Sequence, residues 1–169
     1  MRNSLGIYFL INYYFQKIHT SILKEVKLLK DKTKVMAYFC LFGDEFDPNH
    51  VTSILRIEPT NTAYKGDIIN KKHRIKETSW TLGTDYEESL DVNHQLIKVV
   101  DMLRNKVKEI NSIRIEHQLK TKFFIVIRIE EGKTPALYFD SDFIEFVNMI
   151  HAEIDVDLYA NPYNDEKLE

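Results

Sequence analysis

The stretch KFFIVIRIE, from Lys122 to Glu130, constrains the fold of this chain more than any other part of the sequence. Aliphatic and aromatic side chains occupy both of its alternating faces for much of its length. A strand that is apolar on both faces is typical of the centre of a sheet. The stretch therefore predicts a central strand, around which the rest of the chain must supply neighbouring strands and covering helices.

Hydrophobic periodicity and turn residues predict the other elements. Asp47 before Pro48 indicates a helix start, because aspartate caps free backbone N–H groups and proline suits the first turn; Pro59 is expected to end this helix. Glu131-Gly132-Lys133 predicts a hairpin turn. Strands are predicted at Lys34–Phe42, Arg74–Leu82, Lys122–Glu130, Pro135–Asp140 and Ile154–Ala160, and helices from Asp47, from Asp91 and from Asp140 or Ser141.

The predicted order, β-α-β-α-β-β-α-β, indicates an α+β fold with a single, mostly antiparallel sheet of about five strands covered by helices. Its last six elements have the ferredoxin-like order. In the ferredoxin-like arrangement, the strand Lys122–Glu130 lies at an edge of the sheet. The additional first strand, Lys34–Phe42, is expected to pair with it and to cover this edge. On the last strand, the residues predicted to face the core are Val156 and Leu158, and those predicted to face outward are Asp155, Asp157 and Tyr159.

The first 34 residues differ in character from the remainder. They contain seven basic and two acidic residues, a formal charge of +5, whereas the rest contains 16 basic and 24 acidic residues, a charge of −8. Apolar residues at helical spacing predict a basic amphipathic helix that either binds a membrane surface or a partner, or packs on the domain. We expect a helical extension over residues 1–34 that is dispensable for folding, an α+β domain over 35–162 and a polar tail over 163–169.

The composition of the chain argues against several classes of protein. The net charge of −3 gives no reason to expect a nucleic-acid partner. The single cysteine, Cys40, excludes a disulfide framework within the chain and suits a reducing compartment such as the cytoplasm. Because Cys40 lies in the apolar run VMAYFCLF, it is expected to be a small buried hydrophobe rather than a nucleophile. No run reaches the roughly 18 apolar residues of a transmembrane helix.

No group of residues has the spacing of a catalytic, metal-binding or cofactor-binding motif. The six histidines and five glycines form no HExxH, P-loop or GxGxxG pattern, and no GxSxG is present. Asp155 and Asp157 would need a cleft that raises a carboxyl pKa to serve in acid–base chemistry, and on an outward face they are expected to be solvated. The sequence therefore predicts no catalytic residue, no metal site and no cofactor.

The polar segment from Glu58 to Trp80 is the most motif-like part of the chain. If it forms a binding site, Arg74, Glu77 and Trp80 should converge on one concave pocket. The alternative to a binding site is a structural role for the same residues. In that case Gly66 is expected to supply a turn with positive φ, the basic residues to protect a strand edge, and Trp80 to pack in the core. The candidate binding residues are Lys65, Asp67, Arg74, Glu77 and Trp80.

Four segments in order, FGDEFDPNHVTSILRIEPT, YKGD, RIKETSW and DLYAN, resemble the bacterial family called domain of unknown function 4279. The ordered set is more specific than its pieces and covers about residues 35–162. The resemblance implies a small cytoplasmic α+β domain without an assigned reaction. It also implies an immunity-type role, because relatives occur near toxin systems. The resemblance does not include residues 1–34. Two interpretations of this segment therefore remain: it is a functional extension, or the functional protein starts at Met36.

Two functional hypotheses follow. The first is a non-enzymatic protein-binding module, of the immunity type, that blocks a partner such as the toxin product of a neighbouring gene through its sheet face or a loop. The acidic charge of the chain after residue 34 favours a basic partner. The second is a small-ligand-binding protein or enzyme with a pocket between the sheet and the Glu58–Trp80 loop.

Overall fold

The computed structural model describes residues 32–70 and 73–160. The chain divides into two units, Met1–Lys32 and Thr33–Glu169, and all described helices and strands belong to the second unit. The predicted N-terminal helix and the polar tail over residues 163–169 lie outside the described residues, so both stay predictions.

An open six-stranded sheet forms the centre of the domain. The described strands are β1 (Lys34–Gly43), β2 (Asn61–Ala63), β3 (Ile68–Asn70), β4 (His73–Arg74), β5 (Thr78–Gly83), β6 (Glu87–Glu88), β7 (Lys120–Ile129) and β8 (Glu153–Ala160). The sheet runs in the order β2-β5-β1-β7-β8, and β6 pairs with the start of β1. Strands β3 and β4 form a separate hairpin.

The helices of the described region pack on one face of the sheet. They are α1 (Pro48–Leu55), α2 (Asn93–Leu103), α3 (Val107–Glu116) and α4 (Ser141–Met149), with a single 3-10 turn between α2 and α3. Phe123 of β7 contacts the rings of Phe143 and Phe146 in α4, and apolar side chains of the other helices join the same buried cluster. None of the helices in this region has the length and apolarity to span a bilayer.

The prediction of a central strand is confirmed. β7 lies between β1, with which it pairs antiparallel from Lys120 to Arg128, and β8, with which it pairs parallel. Ile125 and Ile127 are buried against the helices. All pairs in the sheet except β7–β8 are antiparallel, so the mostly antiparallel α+β sheet is confirmed, with six strands rather than about five.

The predicted returning strand, Pro135–Asp140, is wrong. This segment forms only an isolated bridge between Ala136 and Asp91, in which the Ala136 N–H donates to the carbonyl of Leu90 at 2.7 Å. Both edges of β7 are occupied, by β1 and β8, so a returning strand has no edge to pair with there. The ferredoxin-like order needs that strand and is therefore also wrong.

Other boundaries also differ from the prediction. The helix predicted from Asp91 begins at Asn93 and is divided into α2 and α3 by the 3-10 turn. The segment predicted as one strand, Arg74–Leu82, is divided between β4 in the hairpin and β5 in the sheet. Helix α1 begins as predicted, with the Asn49 N–H donating to Asp47 Oδ1 at 2.9 Å. It ends at Leu55 rather than at Pro59, because Arg56 adopts a left-handed backbone conformation with φ of 54°.

Candidate functional site

The β3–β4 hairpin brings three of the predicted binding residues together, but their polar groups bind nearby atoms of the protein. The guanidinium of Arg74 donates to the carbonyl of Gly66 at 3.1 Å, and the carbonyl of Asp67 accepts from the Ile75 N–H at 2.9 Å. Gly66 has a φ of 94°, which confirms the predicted turn. Lys65 forms an exposed ion pair with Asp44 at 3.0 Å. These contacts involve the side chains of Arg74 and Lys65 and only the main chain of Asp67.

Trp80 lies elsewhere, in the core. Its side chain is fully buried on the helix-covered face of β5, and its indole Nε1–H donates to Thr52 Oγ1 of α1 at 3.0 Å. Glu77, in contrast, is exposed just before β5. The fully buried side chain of Trp80 cannot line a surface pocket. Arg74, Glu77 and Trp80 therefore do not form the concave pocket that the binding-site hypothesis requires.

Glu77 instead lines a shallow groove of about 520 Å³. The groove also contains carboxylates at Asp44 and Glu45, together with His117 and Lys120. It therefore combines acidic groups, an imidazole and an ammonium group, the residue types that a polar small ligand would need.

The outer edge of β8 is a second candidate site. Among the described residues β8 pairs with β7 alone and ends the sheet, so its eight residues present an unpaired row of backbone groups. Ile154 and Leu158 lie on the helix-covered side, in register with Phe123 and Ile127, yet Leu158 is 59% exposed. The prediction that Leu158 faces the core is thus corrected: it lies on the correct face, but at an edge that no helix of this region covers fully.

Acidic groups occupy the opposite side of β8. Glu153, Asp155 and Asp157 are in register with residues of the helix-free face of β7. Lys122 forms ion pairs with Glu153 and Asp155 at 3.1 and 3.3 Å, whereas Asp157 has no ion pair in the described region. The side chain of Asp157 therefore leaves a negative charge at this edge.

Aromatic side chains extend this surface across the helix-free face of the sheet. Tyr38 and Phe124 stack with ring centroids 4.8 Å apart, and the guanidinium of Arg128 lies 4.1 Å from the ring centroid of Tyr86. A groove of about 380 Å³ lies between Tyr38, Tyr86, Arg128 and Asp157. Burial, followed by nearby negative groups that include Asp157, raises the pKa of Tyr38. The phenol therefore stays protonated and can donate a hydrogen bond.

Cys40 has the environment of a packing residue. Its side chain is buried, and burial raises the pKa of its thiol, although a hydrogen bond from the Thr81 hydroxyl lowers it somewhat. Since the thiolate is the reactive form, this environment disfavours nucleophilic chemistry. The prediction that Cys40 is buried is confirmed.

One group of residues was missed by sequence reasoning. His50 of α1, Glu116 at the end of α3 and the adjacent His117 come together in the fold. His50 is far from the other two in the chain, so no motif spacing relates them. The only sequence signal is that Glu116 and His117 are neighbours.

Comparison with models of protein families shows to which family the chain belongs. The family described as Domain of unknown function (DUF4279) matches residues 32–161, well over half of the chain. The chain belongs to the DUF4279 family. The predicted resemblance, over about residues 35–162, is thereby confirmed. Every described strand and helix, including the β8 edge, lies within the DUF4279 region. Comparisons with curated proteins and with solved structures returned no match.

Proposed function

We propose that this DUF4279 protein is a non-enzymatic protein-binding module that pairs with an extended segment of a partner along the β8 edge. The observation that carries this proposal is a full-length edge strand with exposed apolar side chains and without the lysines or proline that commonly protect edges. Strand addition to such an edge gives affinity through main-chain hydrogen bonds and specificity through alternate side chains.

The side chains of β8 define the chemistry of the partner segment. On one side, Ile154 and Leu158 favour apolar neighbours, because pairing removes their exposed surface from water. On the other side, Asp155 and Asp157 favour basic neighbours. A strand that alternates basic and apolar residues therefore matches this edge best.

Overall charge supports a basic partner. The chain after residue 34 has a formal charge of −8, which accelerates association with a positively charged protein and disfavours nucleic acid. Toxins that cleave nucleic acids need basic surfaces, so an immunity-type function, in which this protein blocks the toxin of a neighbouring gene in the cytoplasm, fits the charge.

A binding experiment with matched variants tests the proposal. The full-length protein would be co-expressed with the products of neighbouring genes, and the affinity of any complex measured by calorimetry. Leu158→Lys places a charge on the β8 edge, whereas Leu90→Lys changes a leucine of the same exposure, 60% against 59%, outside β8. We expect Leu158→Lys to weaken binding roughly tenfold or more, about 1.4 kcal/mol, and Leu90→Lys to leave it unchanged.

Two results would contradict the proposal in different ways. If no neighbouring product binds the protein, the immunity-type function is wrong. If a partner binds Leu158→Lys as tightly as the unaltered protein, the module binds through another surface and the β8 assignment fails.

A second candidate function rests on the groove lined by Glu77 and His117. Its mixture of carboxylates, imidazole and ammonium groups fits a small polar ligand, as expected for a ligand-binding protein or an enzyme. A thermal-shift screen with metabolites would test it: a stabilising compound whose effect disappears in Glu77→Gln supports this function, and a screen without hits counts against it.

A further inference from the structure

A group of metal-ligating side chains lies where α1 meets the end of α3. It consists of His50 in the first turn of α1, Glu116, the last residue of α3, and His117 directly after it. One ligand atom from each of the three lies within 4.8 Å of the other two. We propose that His50, Glu116 and His117 together bind a divalent transition-metal ion, for which Zn²⁺ is the best match.

The geometry needs only a small contraction to hold the ion. The two imidazole rings meet edge to face with centroids 5.7 Å apart, and Glu116 Oε1 lies 3.8 Å from His117 Nε2. Zinc bonds of about 2.0–2.1 Å place tetrahedral ligand atoms roughly 3.4 Å apart. Because His50 and Glu116 are exposed, rotation about their side-chain bonds can close the remaining distance.

His117 is the fixed member of the site. Its Nε2 atom is buried and makes no hydrogen bond within the described part of the chain. Its backbone is held by an N–H donated to the carbonyl of Ile113 at 3.0 Å, before Gln118 turns the chain with a φ of 53°. Burying an imidazole nitrogen without a partner costs free energy, and a metal ion would supply that partner.

The ligand set selects the class of metal. Two imidazoles and one carboxylate suit Zn²⁺ and its neighbours in the transition series, whereas Mg²⁺ and Ca²⁺ prefer oxygen ligands alone. The groove that His117 also borders is lined by the carboxylates of Glu45 and Glu77, and by Asp44, which is paired with Lys65. These carboxylates outnumber the one ammonium group in the lining, that of Lys120, which favours a cation there. Three protein ligands leave a fourth position for water or for a ligand in the groove.

Titration of the full-length protein with Zn²⁺ tests the site. After dialysis against a chelator, binding would be measured by calorimetry, and the melting temperature with and without Zn²⁺. We expect one Zn²⁺ per chain and a higher melting temperature, because the ion joins α1 to α3 only in the folded protein. Affinity should fall more than about tenfold in His50→Ala and in His117→Ala. His94→Ala, which removes an exposed imidazole from α2, should bind normally.

His50→Ala is the decisive variant, because His50 is exposed and its replacement should preserve the fold, which circular dichroism would verify. Co²⁺ adds a second measurement: its visible absorption should indicate nitrogen ligands and should change in Glu116→Gln. No saturable Zn²⁺ binding by the unaltered protein, or equal affinity in His50→Ala, would overturn the assignment. The metal site and the β8 partner site are tested separately, so either can fail alone.

Discussion

Trp80 and Thr52 join the sheet to its first helix through a hydrogen bond of 3.0 Å between the indole Nε1–H and the threonine hydroxyl. The hydroxyl in turn donates to the carbonyl of Pro48 at 3.1 Å, so the bond connects β5 to the first turn of α1. Trp80 is the only tryptophan in the chain and is fully buried. This relationship explains why a residue from the most motif-like segment has a structural role.

Replacing Thr52 by valine should destabilise the domain. Valine has nearly the same shape but leaves the buried indole N–H of Trp80 without an acceptor, which costs roughly 1–3 kcal/mol. Thr52→Ser keeps the hydroxyl and should lose less than about 1 kcal/mol. Free energies of unfolding in urea would measure both changes. Equal stability of Thr52→Val and the unaltered protein would show that the bond contributes nothing net.

Gly83 should not tolerate a side chain. A Cβ atom at this position would lie 2.3 Å from the Cβ of Tyr38 and 2.9 Å from the carbonyl oxygen of Ala37, so β1 and β5 would have to separate. We expect Gly83→Ala to lower the free energy of unfolding by about 3 kcal/mol.

Gly66→Ala is the matched control. A Cβ atom added there would meet no atom within 4 Å beyond its chain neighbours, so only the positive φ is penalised, by roughly 1–2 kcal/mol. Urea unfolding of the two variants provides the comparison. A cost for Gly83→Ala no larger than that for Gly66→Ala would contradict the steric argument.

The prediction that residues 1–34 are dispensable for folding can be narrowed to residues 1–32, because Thr33 and Lys34 belong to the unit that contains the sheet. Thr33 is buried, and its hydroxyl accepts from the Glu130 N–H at 3.1 Å; Val35 is fully buried. A chain that begins at Thr33 should therefore unfold cooperatively. A chain that begins at Met36 loses a buried valine, worth about 1.5–3 kcal/mol, and hydrogen bonds worth about 1 kcal/mol each.

Thermal unfolding of the two shortened chains and the full-length protein checks this prediction. We expect the Thr33 chain to melt close to the full-length protein and the Met36 chain well below both. If the Thr33 chain shows no cooperative transition, the N-terminal segment belongs to the core.

Glu87 should make stability depend on pH in the acidic range. A hydrogen bond from Lys98 and, to a smaller extent, one from Gln95 lower the pKa of its carboxyl group. A lowered pKa in the folded state means that the stabilisation is present above the unfolded pKa of about 4.3 and is lost as pH falls through the folded value. The unaltered protein should thus be more stable than Glu87→Gln at neutral pH, and this difference should disappear in acid.

Unfolding free energies of both proteins from pH 7 to about pH 3 measure the difference. Because Glu87 is exposed, the effect should be small and should shrink in high salt. A difference that does not change with pH would assign the stabilisation to packing rather than to charge.

Local sequence patterns determined most of the individual elements. The apolar faces of KFFIVIRIE indicated the central β7, and the caps at Asp47 and Asp140 indicated the starts of α1 and α4, where Asn49 and Phe143 donate to them. These features depend on residues within a few positions of one another, so they can be predicted from the sequence alone.

Only the tertiary structure decided how the elements pair and which side chains meet. A turn follows β7, where the Lys133 N–H donates to the carbonyl of Glu130 at 3.0 Å, but it does not form the predicted hairpin. Because β1 and β8 occupy both edges of β7, the segment from Pro135 has no edge of β7 to pair with. The exposure of Leu158 follows from the position of β8 at the edge. The meeting of His50 with His117 follows from the packing of α1 near α3. Strand order and helix packing depend on contacts between residues distant in the chain, which local spacing does not encode.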